Sequence, residues 1–401
     1  MKVWAIQYIK SVPRYAVVRS LGSRWPQVAT SPFACIRLGR IEQPSLPGSE
    51  WVRVRPILSG ICGSDLATIT AKGSLYFSPF TSSPFVLGHE VVGEIVEAGK
   101  QAGAPKEGDR VVLEPPLTCE VRGIARKCEP CQTGNSSLCV NFNGGNISPG
   151  IQTGYCRDTG GGWSESFVAH SRQLHPVPDQ LTNEHAVIAE PLSCALQAVL
   201  KAPLTEDCTV LILGCGSMGA LTLAAIRGVG SACRVVMVAK HPHQREVADR
   251  LGADVVVQAG EPYPELAQIL NARLYQPEFG RPTAIGGADI CFDCVGSGRT
   301  LDDALRFTRG GGSVILVGMP GIPRNIDWTA IWHKQLVVKG SYTSEPATFR
   351  RALELLVAQR DSLAGIVGAK FPLKDYRAAV QCALNTGQSK VTKTVFQFER
   401  P

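Results

Sequence analysis

Residues 209–240, TVLILGCGSMGALTLAAIRGVGSACRVVMVAK, constrain the fold more than any other stretch. A short apolar run at 210–213 suits a strand buried on both faces. Gly214, Gly216 and Gly219 follow in the spacing G-x-G-x-x-G. Met218, Leu221, Leu223, Ala225 and Ile226 then recur at helical spacing, and 234–239 reads as a second strand. In such a turn the first glycine permits the bend, the second lets the backbone approach a pyrophosphate, and the third allows helix and strand to pack closely. The pyrophosphate sits on the free N–H groups and positive dipole end of the helix, here at Gly216, Ser217 and Met218. A lone glycine motif is weak evidence. With both strands and the helix in place, this one predicts a nicotinamide-dinucleotide site.

The 401 residues are enough for two domains. The formal charge of +7 is spread along the chain without a run of five basic residues, which argues against nucleic-acid binding but favours anionic ligands. No apolar run is long enough to span a membrane. Lys10 and Arg14 interrupt the apolar N-terminal residues and no A-x-A site follows, so no signal peptide is expected. Several of the fourteen cysteines, such as Cys291 and Cys294, fall in expected buried strands. Reduced thiols, some bound to metal, in a cytoplasmic protein fit better than disulfides.

Residues 1–50 offer few periodic segments, so only short strands and loops are expected there. From 50 to 58 apolar and basic residues alternate as in a half-buried strand, leading into Gly60-Ile61-Cys62-Gly63-Ser64-Asp65. Short strands with glycine turns continue through 85–95 and 108–112 and suggest a β-rich, barrel-like domain. A cysteine cluster occupies 119–139, followed by a glycine-rich loop at 143–162 that is long for a simple connection. Residues 163–170 read as a strand, and Thr182 as the N-cap of a helix. Beyond 240, strands at 254–258, 289–294, 313–318 and 336–340 alternate with helices, which makes six strands and predicts a doubly wound parallel sheet. Residues 346–359 read as an amphipathic helix.

The motifs GICGSDL, VLGHEVVGEI, GDRVV, the cysteine cluster, EPLSCAL and VLILGCGSMG resemble, in this order, the zinc-dependent medium-chain alcohol dehydrogenases over residues 50–345. The resemblance implies an α/β protein with a GroES-like barrel catalytic domain at 1–195, a Rossmann domain at 196–344 and a return to the catalytic domain at 345–401. A catalytic zinc takes about three Cys, His or carboxylate ligands and keeps one position open. Cys62, His89 and Glu190 match the family's ligand positions. Glutamate at 190 is similar to the branch acting on polyols, sugars and threonine, in which Glu90 also approaches the metal, so the carboxylate ligand stays open. Ser64 matches the hydroxyl through which the alcohol proton leaves, and Asp65 buttresses the site. Ala67 stands where family members often carry a histidine, so the outer proton path must differ, through the cofactor ribose or water. Cys119, Cys128, Cys131 and Cys139 match the structural zinc lobe, except that eight residues, 120–127, separate the first cysteine from the second. An insertion that bulges outward would still let four thiolates close a tetrahedral site, with Cys156 as a weak substitute for Cys119.

An enzyme that prefers NAD places an acid about 20 residues beyond the last glycine, to bind the ribose diol. That position holds Ala239, followed by Lys240, His241, His243 and Arg245, which suit a 2′-phosphate and favour NADP(H) over NAD(H). Val295, Gly296, Val317 and Gly318 fall where the family's nicotinamide lies. The resulting expectation is a zinc-dependent oxidoreductase moving hydride between NADP(H) and a secondary alcohol or carbonyl, with a homodimer or homotetramer implied by the family. The alternatives are a zinc-free reductase of activated C=C bonds and a non-catalytic nucleotide-binding protein.

Overall fold

The computed structural model describes residues 1–260, 263–319 and 321–399. It forms two compact units, one of Met1–Glu190, Glu345–Val357 and the chain from Val367 onward, the other of Pro191–Ser344 and Ala358–Ile366. The units divide inside the helix Ala189–Leu200, a few residues before the expected boundary at 195. Residues 358–366, expected with the first domain, group with the second. Leu363 and Ile366 are buried there, and the Gln359 side chain donates to the Ala224 carbonyl at 3.1 Å.

The first unit opens with β1 (Lys2–Tyr8), which pairs antiparallel with β2 (Ile36–Glu42) over seven residues. Between them lie a helix, Val12–Leu21, and a 3-10 turn, Pro26–Thr30. The sequence did not show this helix because it buries only Val18 and so carries no apolar stripe. Arg14 and Arg19 anchor it by donating to the Ala34 and Ala71 carbonyls, both at 2.8 Å. β3 (Trp51–Gly60) leads into the helix Gly63–Ile69, and β4 (Phe85–Val86) pairs with β1. β5 (Val91–Ala98), β6 (Arg110–Leu113), β7 (Phe167–His170) and β8 (Leu174–Pro176) follow. β7 is shorter than the expected strand because Trp163 lies in the preceding loop. There its indole N–H donates to the Gly60 carbonyl at 3.0 Å and its backbone N–H to Leu87 at 2.8 Å.

The second unit holds β9 (Thr209–Leu213), β10 (Arg234–Ala239) and β11 (Val255–Gln258), then a small hairpin, β12 (Arg273–Tyr275) with β13 (Thr283–Ile285). The hairpin was not read from the sequence: its strands are three residues each and mostly exposed. β14 (Ala288–Asp293), β15 (Thr308–Leu316) and β16 (Val337–Gly340) complete a six-stranded parallel sheet, order β11-β10-β9-β14-β15-β16. The order reverses between β9 and β14, and a ligand crevice opens at the carboxyl ends of strands at such a point.

The last strands, β17 (Val367–Pro372) and β18 (Lys393–Gln397), return to the first unit. They complete a seven-stranded sheet, β17-β18-β3-β5-β6-β8 with β7 on β3. The Phe396 ring of β18 meets the Trp163 indole edge-on at 5.0 Å. Trp163 is fully buried and touches the backbone beside two site residues: Gly60, and Gly88, where a Cβ would meet the Trp163 ring at 2.3 Å. Trp163→Phe leaves the Gly60 carbonyl unpaired and opens a void. It should cost about 2–4 kcal/mol, read as a lowered midpoint in thermal or urea unfolding.

Candidate active site and nucleotide-binding turn

Cys62 is the N-cap of the helix Gly63–Ile69. Asp65, three residues on, accepts the Cys62 backbone N–H on Oδ2 at 3.0 Å. Its other oxygen faces His89 Nδ1 at 3.5 Å, and the side chains of both residues are almost wholly buried. Burial alone would lower the His89 pKa, but Asp65, with help from Cys62, raises it well above the usual histidine value. With Nδ1 turned to the carboxylate, Nε2 lies 3.5 Å from Ser64 Oγ. A carboxylate on one ring nitrogen that leaves the other beside a thiol is the arrangement that orients a metal-ligating histidine.

The two glutamates differ. Glu90 is 1% exposed and forms an ion pair with Lys393 of β18, whose ammonium also donates to the Ile61 carbonyl at 3.2 Å. Glu190 is half-buried in the first turn of the helix Ala189–Leu200 and adds to the negative field on Lys393. Among the described residues, Cys62, His89 and a carboxylate do not form a set with ligand atoms all within 4.8 Å of one another. Lys393 was not found from the sequence. It lies about three hundred residues from Glu90 in a strand without a motif, and only the fold joins them. Tyr155 and Thr68 were also missed. Their hydroxyls are 3.1 Å apart, Thr68 Oγ1 donates to the Ser64 carbonyl at 2.9 Å, and the Tyr155 ring lies 6.2 Å from that of His89.

Cys119, Cys128, Cys131 and Cys139 do form such a set. The sulfur of Cys119 lies 3.5 Å from that of Cys128 and 3.7 Å from that of Cys139, with 3.9 Å between the latter two. A tetrahedral zinc with bonds of about 2.3 Å spaces its sulfurs by about 3.8 Å, so the tetrad fits the metal. Burial raises the Cys128 pKa, but the N–H groups of Val140 and Cys131 with the thiols of Cys119 and Cys131 together lower it, while burial holds the Cys131 and Cys139 thiols up. Residues 120–127 divide: Glu120, Gly123, Ala125 and Arg126 are exposed, as an outward bulge requires, while part of the segment turns inward. Val121 and Arg122 are buried, and the Ile124 N–H returns to the Cys119 carbonyl at 2.9 Å. Cys156 takes no part in the tetrad and donates to the Ser148 carbonyl.

In the second unit each motif glycine meets a different requirement. Gly214 has φ +93° and a Cβ there would meet Val295 at 2.3 Å. At Gly219 a Cβ would lie 1.8 Å from the Gly214 carbonyl, whereas Gly216, the N-cap of the helix Ser217–Gly228, faces open space. That opening is the approach a pyrophosphate requires. β10 ends at Ala239, and the helix Pro242–Arg250 starts immediately. Gln244 Oε1 accepts the N–H groups of Lys240 and His241 at 2.9 and 3.1 Å, His241 stacks on His243 with centroids 5.7 Å apart, and Lys240 and Arg245 are exposed. Asp293 Oδ1 accepts the Val295 and Gly296 N–H groups at 3.0 Å, and its backbone carbonyl accepts those of Val317 and Gly318. All four residues thus sit at the carboxyl ends of β14 and β15.

A parallel sheet with this glycine turn, joined in one chain to a β-rich unit carrying buried Cys, His and carboxylate donors, defines a nucleotide-dependent, metal-binding dehydrogenase. The alcohol dehydrogenase GroES-like domain matches residues 48–179, and the zinc-binding dehydrogenase domain matches 216–358. The chain is 29% identical to L-idonate 5-dehydrogenase of Vitis vinifera, across 86% of this chain and 88% of that protein. It is 28% identical to L-threonine 3-dehydrogenase of Legionella pneumophila, across 82% and 88%. A zinc-binding dehydrogenase of Sinorhizobium meliloti, solved with NADP bound, superposes with a TM-score of 0.73 at 24% identity, covering 99% of this chain and all of that one. The chain belongs to the zinc-dependent medium-chain dehydrogenase/reductase family, near its polyol and threonine dehydrogenases. It is an oxidoreductase of small-molecule alcohols that uses zinc and a nicotinamide cofactor. Among the described residues no helix is long and apolar enough to cross a membrane.

The glycine geometry separates two substitutions. Gly219→Ala drives a methyl into the Gly214 carbonyl and should lower the melting temperature without cofactor. Gly216→Ala should leave that temperature unchanged and weaken dinucleotide binding about tenfold or more, measured by fluorescence titration.

Proposed function

We propose that the enzyme transfers hydride between NADP(H) and a secondary alcohol, polyol or corresponding ketone at a zinc held by Cys62, His89 and Glu190. The observation that carries the ligand assignment is Cys62 beside a buried His89 whose ring Asp65 faces through Nδ1; Glu190 is taken as the carboxylate from its place in the family's motifs, with Glu90 ion-paired to Lys393. Zinc bound there would supply Lewis acidity, lowering the pKa of an alcohol or polarising a ketone. Ser64 Oγ, placed beside His89 Nε2, accepts the alcohol's proton during oxidation as its own hydroxyl proton passes on to the cofactor ribose or water, and both transfers reverse in reduction. Asp65 holds the His89 ring by Nδ1 and the Cys62 backbone by its N–H. The cysteine tetrad holds a second, structural zinc.

The preference for NADP(H) rests on Ala239 in place of an acid, with Lys240, His241 and Arg245 around the start of the helix Pro242–Arg250. A helix N-terminus beside cations favours a 2′-phosphate, which a carboxylate at 239 would repel. A homodimer or homotetramer in the cytoplasm completes this reading by analogy with the family.

Elemental analysis should find two zinc ions per chain, with Cys62→Ser removing one and abolishing alcohol oxidation. No zinc in protein purified without chelator would instead favour the C=C reductase reading, and bound cofactor without turnover of any alcohol would favour a non-catalytic protein. For the cofactor, Lys240→Ala with Arg245→Ala should raise the KM for NADPH about 10- to 100-fold and change that for NADH little. Ala239→Asp should reverse the preference, and tighter NADH binding by the unaltered enzyme would overturn the assignment.

A further inference from the structure

We propose that Arg122, carried by the segment between Cys119 and Cys128, is the buried cation that balances the charge of a metal-loaded cysteine tetrad, and so a positioning residue for that metal. The inference rests on the reading of the tetrad as a zinc site.

Arg122 is completely buried. Its guanidinium donates to the Leu117 carbonyl at 3.1 Å, to Gly144 at 2.9 Å, to Ile147 at 3.2 Å and to Gly150 at 2.5 Å, with the Ser148 carbonyl at 3.4 Å. Five neutral carbonyls satisfy the N–H groups of an arginine but do not cancel its charge. Among the described residues no carboxylate forms an ion pair with it, and a buried cation without a counter-charge is costly. The nearby Asp158 accepts the Ser148 N–H at 2.6 Å and faces Arg157 at 3.5 Å. Burial presses the Arg122 pKa down, and the groups that oppose this are Cys156, Cys139, Cys119 and then Asp158. Two of those thiols belong to the tetrad. Four thiolates around a divalent zinc leave two negative charges in excess, and in a medium of low polarity that excess needs a cation.

The backbone places Arg122 for this role. Its N–H donates to the Thr118 carbonyl at 3.0 Å and its carbonyl accepts the Asn146 N–H at 2.9 Å. Gly145, at φ +85°, lies so close that a Cβ would meet the Arg122 carbonyl at 2.3 Å. The eight added residues thus bring a charge into the lobe whose first cysteine they separate from the second.

A residue that only pinned the 144–150 loop would stabilise the lobe equally with and without metal, whereas a counter-charge is coupled to it. The test uses the full chain in a Cys62→Ser background, so that only tetrad zinc is counted. Zinc release to a chromophoric chelator and melting temperature, zinc-loaded and zinc-stripped, are compared for Arg122, Arg122→Lys and Arg122→Gln. Arg122→Gln should release zinc about 10- to 100-fold faster and shrink the rise in melting temperature that zinc confers, while Arg122→Lys restores most of both. Wild-type release rates in both variants, or equal melting losses with and without zinc, would overturn the proposal. If Arg122→Gln does not fold, Arg122→Lys decides. It loses most of the carbonyl cage but keeps the charge, so release near the wild-type rate supports the proposal and release as fast as from an unfolded lobe refutes it. A chain with intact Arg122 whose tetrad holds no zinc would overturn the tetrad reading and this inference together.

Discussion

Two carboxylates, Asp65 and Glu90, lie almost completely out of water in one small volume, and the first unit is arranged around giving each a partner. A buried carboxylate without hydrogen bonds or a counter-charge would cost several kcal/mol. Asp65 finds its partners locally, since the helix that begins after Cys62 turns its third residue back so that Oδ2 accepts the Cys62 N–H while Oδ1, without a hydrogen bond among the described residues, faces His89 Nδ1 at 3.5 Å. Among the described residues, the cation paired with Glu90 is not a local one. Its cation comes from β18, which lies antiparallel to β3 with Val395 opposite Gly60, and Gly60 has no Cβ because Glu90 Oε2 would be 1.9 Å from it. The return of the chain to its first unit is therefore part of the site. Without β18, the residue beside His89 would be a buried charge with no partner.

The nucleotide-binding turn obeys a steric constraint rather than an electrostatic one. The segment after β14 and the segment after β15 touch through backbone: a Cβ at Gly296 would meet the Met319 carbonyl carbon at 2.7 Å, and one at Gly318 the Val295 carbonyl carbon at 2.5 Å. Gly214 is closed against Val295 on the other side. Three glycines from separate strand ends thus surround one valine, and Asp293 ties the arrangement through its side chain and its carbonyl. Side chains at any of the three would push these loops apart, which explains why a dinucleotide site needs glycine beyond its fingerprint.

What the sequence made legible follows from the range of the interactions. The glycine turn and the apolar runs of the six parallel strands are patterns a few residues long, and spacing alone reveals them, whereas Asp65 was expected to buttress the site without its cap on Cys62 being read. The helix Val12–Leu21 escaped because polar anchors hold it, and the β12–β13 hairpin because its strands are too short to show a period. Lys393 and Tyr155 escaped for a different reason. Each acts through a contact made only by tertiary folding, and one lysine in TKTVF or one tyrosine in a glycine-rich loop looks like any other. The segment 120–127 was visible as a departure from the family's spacing. The inward turn of Val121 and Arg122 was not, because it depends on Arg122 finding carbonyls supplied by residues up to 28 positions away.

The Tyr155–Thr68–Ser64 chain has a direction that bears on proton movement. Thr68 Oγ1 donates its single proton to the Ser64 carbonyl, so toward Tyr155 it accepts, and the phenol is the donor across the 3.1 Å contact. The chain ends on a backbone carbonyl, which has no proton to pass on. Burial, reinforced by Asp65, also pushes the Tyr155 pKa up, so the phenol stays protonated. The pair therefore fixes the tyrosine ring beside His89 and leaves its oxygen as an acceptor, suited to orienting a hydroxyl but unable to relay a proton from Ser64 outward. On the proposed mechanism, with Ala67 offering no titratable group, a proton leaving the Ser64 hydroxyl would take a route other than this hydrogen-bonded pair.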